Sequence, residues 1–268
     1  MKNYGLKLVP RDPLDYEHQL GSSKIHKEIR QPDGQWTDDV PDGEIQMRNN
    51  VETMNCTNFG TYNILEIIEY KKYGTRSNHS ERALGIASGT TNQGNDPKKV
   101  AQAVRNFGAI PEEILPFSND IKSFDEYYSP KPLPSKYIQK GKDWLKNWDM
   151  GYEWVTPTPE NLMEELHYAP VGIAVEAWQQ DEKGYYYGGE NPNHWTVLVG
   201  YEKGDYWVVY DSYPETSGSY IKLLKWDYKF QIAMSYSLKK KSQSEKSWFQ
   251  NILDFLNEIF YEYMKRRY

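Results

Sequence analysis

The sequence predicts an α+β protein with two lobes, and three observations lead to this fold class. Apolar residues recur at helical spacing through much of the first half of the chain, between residues 56 and 148. Runs of β-branched and aromatic residues, separated by turn signals, fill residues 170–237. Helices that come before strands, instead of alternating with them, are typical of α+β folds.

Composition narrows the function classes. The net charge is −6 and the pI about 5.5, so we expect no nucleic acid partner. No apolar run approaches the roughly 18 residues of a membrane span, and the N-terminus lacks a secretory signal. A single cysteine permits neither an internal disulfide nor a cysteine-rich zinc site. We therefore expect a cytoplasmic protein, virion-associated if phage-encoded, and no membrane binding.

Residues 1–48 are the first of three expected regions. They are rich in Pro, Asp, Gly and Gln, show little hydrophobic periodicity, and contain the turn signals Asp33-Gly34 and Asp42-Gly43. His18 and His26 lie in this irregular stretch. We interpret it as an extended arm that packs on the β lobe, and a disordered leader is the alternative that its composition allows.

The main domain is expected at residues 49–238 and begins with helices. The strongest pattern has a thick apolar stripe and stops at Gly74, a residue type that favours the left-handed conformation of a helix C-cap. Proline after a polar capping residue indicates two further helix starts, at Pro97 and Pro159. The expected helices span residues 56–73, 80–88, 96–107, 136–148 and 158–166.

Strand patterns follow the helices. The expected strands span residues 170–175, 194–201, 206–211, 218–224 and 230–237. The second and third of these are separated only by the tight turn at residues 202–205, so they predict a β-hairpin.

Residues 239–268 are the third region, a basic linker followed by an appended amphipathic helix. Apolar residues recur at helical spacing from Trp248 to Tyr263. The polar face carries glutamates as well as lysines, which argues against an anionic membrane surface. We expect the helix at residues 245–267 to bind a protein partner or to mediate self-association.

Cys56, the only cysteine, stands where a loop gives way to the first helix. A thiol at a helix N-terminus faces the positive end of the helix dipole, which favours the nucleophilic thiolate. Taken alone, a buried and inert cysteine is the simpler interpretation, because free cysteine is among the most buried residue types.

His194 and Asp211 supply the further groups that thiol catalysis needs, an imidazole and a residue that orients it. Of the five histidines, His194 begins a strongly apolar strand directly after a Gly/Asn-rich loop, where catalytic side chains are often presented. Asp211 ends the second strand of the same hairpin, so both residues are expected at one end of the ladder. The pattern predicts an imidazole held by Asp211 and free to serve Cys56.

These segments resemble papain-like cysteine peptidases, particularly the bacterial and phage-type members without a pro-domain. The run Asn49-Asn50-Val51-Glu52-Thr53-Met54-Asn55-Cys56-Thr57 is similar to the motif that joins the family's oxyanion glutamine to its nucleophile, with Asn50 where the family has glutamine. Residues 88–94 resemble the substrate-facing glycine loop, and residues 193–201 resemble the catalytic-histidine motif. Asp211-Ser212-Tyr213 falls where the family usually has Asn-Ser-Trp. The resemblance covers most of residues 4–237.

The resemblance implies a papain-like fold with the substrate in the cleft between its lobes. It implies peptide-bond hydrolysis by an endopeptidase that needs no metal and no organic cofactor. The catalytic residues implied are Cys56 as nucleophile, His194 as acid and base, Asp211 as the orienting group, and Asn50 as an oxyanion donor. The residues implied to contact the substrate are Gly89, Gly94, Asn193 and Trp195.

Two departures from the family pattern leave alternatives open. Asn50 is one methylene shorter than glutamine, and Asp211 adds a negative charge beside the expected Cys⁻/His⁺ pair. A catalytically silent papain-like module that binds peptides in the same cleft is therefore one alternative. The other is an acyl transferase or amidase that uses the same three residues, because the sequence does not distinguish water from an amine as the acyl acceptor.

Overall fold

The computed structural model describes residues 2–26 and 28–242. Its α-helices are α1 (Cys56–Tyr73), α2 (Glu81–Ser88), α3 (Pro97–Phe107), α4 (Phe124–Tyr127), α5 (Ser135–Leu145) and α6 (Pro159–Leu166). Short 3₁₀ helices lie at Thr37–Asp39 and Glu112–Ile114. The expected C-terminal helix at residues 245–267 lies outside the described residues.

The strands form one large mixed sheet and one small hairpin. They are β1 (Glu17–His18), β2 (Met47–Arg48), β3 (Val51–Glu52), β4 (Trp148–Val155), β5 (Val171–Val175), β6 (Gln179–Gln180), β7 (Tyr186–Tyr187), β8 (His194–Glu202), β9 (Tyr206–Tyr210), β10 (Ile221–Lys225) and β11 (Ala233–Lys240). The large sheet has the order β1-β4-β11-β5-β8-β9-β10-β7-β6, and β2 pairs only with β3. Helices from the first half of the chain pack beside this sheet, which confirms the α+β class.

Helix α1 is the buried link between the helices and the sheet. It contacts β8, β11 and β5 on one side and α2 and α3 on the other. At Gly60 it packs tightly on the sheet, since an added β-carbon would lie 2.7 Å from the Trp195 side chain. Cys56 begins α1 and His194 begins β8, so this tight packing brings the candidate residues of the two halves together.

The capping signals in the sequence predicted the helix ends correctly. Gly74 ends α1 in the left-handed conformation with φ of 65°. The Asp96 side chain accepts a hydrogen bond from the Lys99 amide at the start of α3, and Thr158 accepts one from Asn161 at the start of α6. In each case the side chain or glycine satisfies main-chain groups that the helix leaves unpaired.

Strand β4 was not expected from the sequence, and its residues 148–155 correct the predicted helix at 136–148. The helix ends at Leu145, and the chain then enters the sheet between β1 and β11. Large apolar or aromatic residues stand at every second position here: Trp148, Met150, Tyr152 and Trp154. This two-residue periodicity is the signal of a strand. The strand β11 is also longer than expected, because Lys239 and Lys240 pair with Asp149 and Trp148 instead of opening a linker.

The arm packs against the body of the protein. The side chain of Trp36 is fully buried and its indole N–H donates to the Leu166 carbonyl over 2.7 Å. Strand β1 pairs in parallel with β4 at the edge of the sheet. These contacts hold Trp36 and β1 against the rest of the described chain. Among the described residues, no helix has the length and apolar character needed to cross a membrane.

Candidate active site

A hydrogen-bonded polar network positions Cys56 at the start of α1. Asn55 immediately precedes the helix, and its side chain donates to the Glu81 carbonyl over 2.8 Å and to the Tyr127 hydroxyl over 3.0 Å. The Tyr128 hydroxyl in turn donates to the Asn55 side-chain oxygen. Because this side chain is engaged elsewhere, it does not cap α1. The first turn of the helix therefore presents uncapped amide groups beside the thiol.

The Cys56 thiol is fully buried. Burial raises its pKa well above the ordinary cysteine value, and the negative charges of Glu52 and Asp211 act in the same direction. Hydrogen bonding with the main chain at Trp195 and Thr57 only partly opposes this rise. The thiol is therefore protonated in this conformation, and its main-chain contact at Trp195 puts it next to the residue that follows His194.

His194 and Asp211 meet at the end of the β8–β9 hairpin, as the sequence predicted. His194 Nε2 lies 2.6 Å from Asp211 Oδ1, and both side chains are fully buried. This contact leaves His194 Nδ1, which has no hydrogen-bond partner among the described residues. The rings of Trp178 and Tyr213 pack edge-on against the imidazole. The imidazole is thus fixed, with one nitrogen unused.

Lys222, on β10, is a further member of the site that the sequence did not reveal. Its ammonium lies 3.1 Å from Asp211 Oδ2 and its side chain is only 3% exposed. Burial disfavours ionisation of Asp211, but the charges of His194 and Lys222 outweigh burial and lower the pKa of this carboxyl. Lys222 also donates to the Tyr213 carbonyl. The run Ile-Lys-Leu-Leu-Lys of β10 does not alternate between apolar and polar residues, so it gives no sign that Lys222 points inward.

Asn50 is not among these buried side chains. Asn49 and Asn50 have φ of 53° and 62° and form the exposed turn of the β2–β3 hairpin. Both turn residues have positive φ, which Asn tolerates and which a two-residue hairpin turn requires. The structure therefore corrects the expected position of Asn50, which is a turn residue at the surface.

Gln46, and not Asn50, contributes its side-chain amide to the hydrogen-bonded network around Tyr4 and Ser212. It is fully buried, and its side-chain amide donates to the Tyr4 carbonyl over 2.7 Å and to Glu52 over 2.8 Å. Ser212, next to Asp211, donates to the Gln46 side-chain oxygen. The β2–β3 hairpin lies between Gln46 and Cys56, so these residues are ten positions apart, whereas the resemblance was based on a spacing of six. Allowing a short insertion at the Asn-Asn turn would have identified this glutamine.

The N-terminal end of the arm covers the site. The Tyr4 amide donates to the Asn193 carbonyl over 3.0 Å, and the Tyr4 ring packs against the His194 ring. Asn95, beside the glycine loop, bonds to two residues of the arm: its amide donates to the Gly5 carbonyl and its carbonyl accepts from Lys7. Main-chain hydrogen bonds therefore hold the start of the arm against His194, Asn193 and Asn95.

The four residues expected to contact the substrate lie in different surroundings. Gly94 touches the arm, since an added β-carbon would lie 1.9 Å from the Gly5 carbonyl oxygen. Asn193 bonds to the arm through its carbonyl and through its side-chain amide, which donates to the Lys2 carbonyl. The Trp195 side chain is buried against Gly60 and so supports the sheet. Gly89 is an exposed left-handed cap of α2, with no other group near its α-carbon.

Solved structures of cysteine proteases share this fold. Xylellain, a cysteine protease from Xylella fastidiosa, matches with a TM-score of 0.60 and 13% identity over 90% of this chain and 96% of its own. A digestive procathepsin L2 proteinase from the larval midgut of Tenebrio molitor matches with a TM-score of 0.60 and 17% identity over 88% of this chain and 78% of its own. The bromelain protease from Ananas comosus, in complex with the E64 inhibitor, matches with a TM-score of 0.54 and 20% identity over 76% of this chain and 98% of its own.

No protein-family profile matches the sequence, and no curated protein sequence matches it. The structural likeness, at identities of 13–20%, establishes the fold. The chain has the two-lobed fold of papain-like cysteine peptidases, which confirms the fold that the sequence motifs implied.

Proposed function

We propose that this protein is a cysteine endopeptidase. The observation that carries the proposal is the placement of His194. Its Nε2 contacts Asp211 over 2.6 Å, and its Nδ1 has no hydrogen-bond partner in the described part of the chain. The next residue, Trp195, contacts the Cys56 thiol through its main chain. An oriented imidazole beside a lone cysteine at a helix N-terminus is the arrangement that thiol hydrolases need.

The proposed reaction follows from these groups. His194 takes the Cys56 proton, and the thiolate attacks the carbonyl carbon of a peptide bond. The oxyanion is stabilised by the amides at the start of α1 and by the Gln46 side chain. His194 then protonates the leaving amine, which departs and leaves a thioester. Water, deprotonated by His194, attacks the thioester, so that the carboxylic acid is released and the thiol is regenerated.

The arm supports a peptide as the substrate class. Tyr4 is held at its carbonyl by Gln46 and at its amide by the Asn193 carbonyl, with its ring on His194. These contacts use main-chain atoms, which every peptide has. We propose that a substrate segment replaces residues 2–7 and makes similar main-chain bonds. Catalysis then requires displacement of the arm, which also admits water to the thiol and lowers the desolvation that holds it protonated.

The full burial of Cys56 favours one second candidate, a peptide-binding module without catalysis. The two candidates differ in the reactivity of the thiol. We would measure the rate of Cys56 alkylation by iodoacetamide between about pH 4 and pH 9 in wild type and in His194→Ala, with and without residues 1–7.

A Cys⁻/His⁺ pair gives rapid labelling that persists below about pH 6 and depends on His194, since a free thiol titrates near 8.5. Peptide-library cleavage by the same form would complete the assignment. Labelling of the shortened chain that follows an ordinary thiol titration, with no effect of His194→Ala, would exclude the peptidase and leave the binding module.

A further inference from the structure

A second cluster of ionisable side chains is buried between the arm and the sheet, apart from the residues of the candidate active site. Two histidines come from the arm and three glutamates from β4 and α6: His18, His26, Glu153, Glu164 and Glu165. Four of these side chains are at most 3% exposed, and Glu164 is 17% exposed. Ionisable groups this deeply buried either pair with one another or bind a metal ion.

Three of these five side chains point potential metal-donor atoms toward one another. The candidate donor atoms of His18, Glu153 and Glu165 all lie within 4.8 Å of one another. His18 Nδ1 is 2.5 Å from Glu165 Oε1 and 3.8 Å from Glu153 Oε1. Neither His18 Nδ1 nor Glu165 Oε1 completes a hydrogen bond of good geometry within the described part of the chain. Ligand atoms bound tetrahedrally to zinc at about 2.0–2.2 Å are about 3.3–3.6 Å apart, which lies between the 2.5 Å and the 3.8 Å of these two separations.

The remaining contacts hold these three residues from outside. His18 Nε2 lies 3.6 Å from Glu164 Oε2, and a carboxylate on the far nitrogen is the usual support of a metal-binding histidine. His26 Nε2 lies 3.1 Å from Glu165 Oε2. The other glutamate, Glu153, accepts from the Ser23 hydroxyl over 2.5 Å. Each of the three inner residues is therefore oriented by a second polar group.

We propose that His18, Glu153 and Glu165 bind one divalent transition-metal ion, and that the ion fastens the arm to the sheet. One imidazole nitrogen with two carboxylate oxygens suits Zn²⁺ better than Mg²⁺ or Ca²⁺, which prefer oxygen ligands alone. His18 belongs to β1 of the arm, Glu153 to β4 and Glu165 to α6. A bound ion would join these three elements at one point and add a structural role unrelated to peptide hydrolysis.

The test uses the full-length chain carrying Cys56→Ser, so that zinc cannot bind to the thiol. The protein is stripped with EDTA and titrated with ZnCl₂ by calorimetry, and the bound metal is counted by elemental analysis. We expect one zinc per chain, a higher melting temperature with zinc, and X-ray absorption from nitrogen and oxygen ligands only.

Substitutions then locate the ion. His18→Ala and Glu165→Gln should abolish binding, and His26→Gln should weaken it by about 10- to 100-fold, as loss of an outer support does. His167→Ala removes a neighbouring histidine outside the cluster and should bind zinc like the parent chain. Circular dichroism checks that each variant is folded. A folded parent chain that binds no zinc, or zinc binding that survives in a folded His18 or Glu165 variant, would overturn the proposal and identify the cluster as an ion-pair network.

Discussion

The Lys222 ammonium lies 3.1 Å from one oxygen of Asp211, and His194 lies 2.6 Å from the other. The carboxylate is fully buried and carries a basic partner on each side. This arrangement answers the difficulty that an aspartate raises where papain-like peptidases usually have asparagine. Under the proposed mechanism, a lone buried carboxylate would leave an excess negative charge beside the thiolate. The Asp211–Lys222 pair is neutral, so His194 can hold the positive charge.

We therefore predict that Lys222→Met impairs the protein more than Asp211→Asn combined with Lys222→Met. The single change leaves Asp211 buried without its cation, a defect that typically costs about 3–5 kcal/mol of unfolding free energy. In the double variant the neutral amide needs no cation, so much of the loss in stability and in Cys56 alkylation rate should be recovered. Urea unfolding and the alkylation rate measure the two effects. Equal impairment of the single and double variants would contradict the charge-balancing role.

A second prediction separates Gln46 from Asn50 in an activated form that lacks residues 1–7. Gln46→Ala removes the side-chain donor that the structure places at the Tyr4 carbonyl, and loss of one oxyanion donor typically lowers kcat by about 100- to 1000-fold. Asn50→Gly keeps a residue suited to the positive φ of the turn and should leave kcat within about two-fold. Steady-state kinetics on a peptide substrate decide the matter. A loss on Asn50→Gly with none on Gln46→Ala would restore the original assignment.

The comparison of Gln46 and Asn50 shows where sequence reasoning reaches its limit. The apolar stripes and capping residues are local signals, so most of the helices and the β8–β9 hairpin were predictable, and with them the places of Cys56, His194 and Asp211 on these elements. Gln46 was missed because a hairpin insertion changes a spacing without changing the residues on either side. Lys222 was missed because its partner is distant in sequence, and an inward-pointing lysine looks like any other until the strands are paired.

The arm gives a third prediction. Gly5 has φ of 114°, and a β-carbon there would lie 2.5 Å from the main chain of Met54. Gly5→Ala should therefore displace the start of the arm and expose Cys56, so that the full-length variant is alkylated at least about ten-fold faster than wild type, the equivalent of roughly 1.4 kcal/mol in the covering equilibrium. Gly21→Ala is the matched control, because Gly21 also has positive φ but has no other group within 4 Å. Equal labelling of wild type and Gly5→Ala would show that the arm does not limit access to the thiol.

Glu112 gives the last prediction, which concerns stability. Burial, reinforced by the negative charge of Glu44 and only partly offset by the hydrogen bond from the Phe117 amide, raises the pKa of Glu112 to about 7. In the unfolded chain a glutamate titrates near 4.3. Between these two values the unfolded state gives up the proton and the folded state keeps it, so this residue lowers the free energy of unfolding as the pH rises from about 4.5 to 7.

Glu112→Gln removes the titration and keeps a side-chain oxygen that can accept from Phe117. The variant should match wild type near pH 4.5 and exceed it above pH 7 by about 1–2 kcal/mol, a figure reduced from the full linkage value because the side chain is partly exposed. Buried Glu66 and Glu81 also have raised pKa values, so wild type alone would lose stability through several groups, and only the difference between the two proteins isolates Glu112. Exposed Glu113→Gln is the control and should follow wild type at every pH. Urea unfolding measured across this pH range tests the direction of the effect. If Glu112→Gln were more stable than wild type by the same amount at low and high pH, the gain would come from packing and not from the proton.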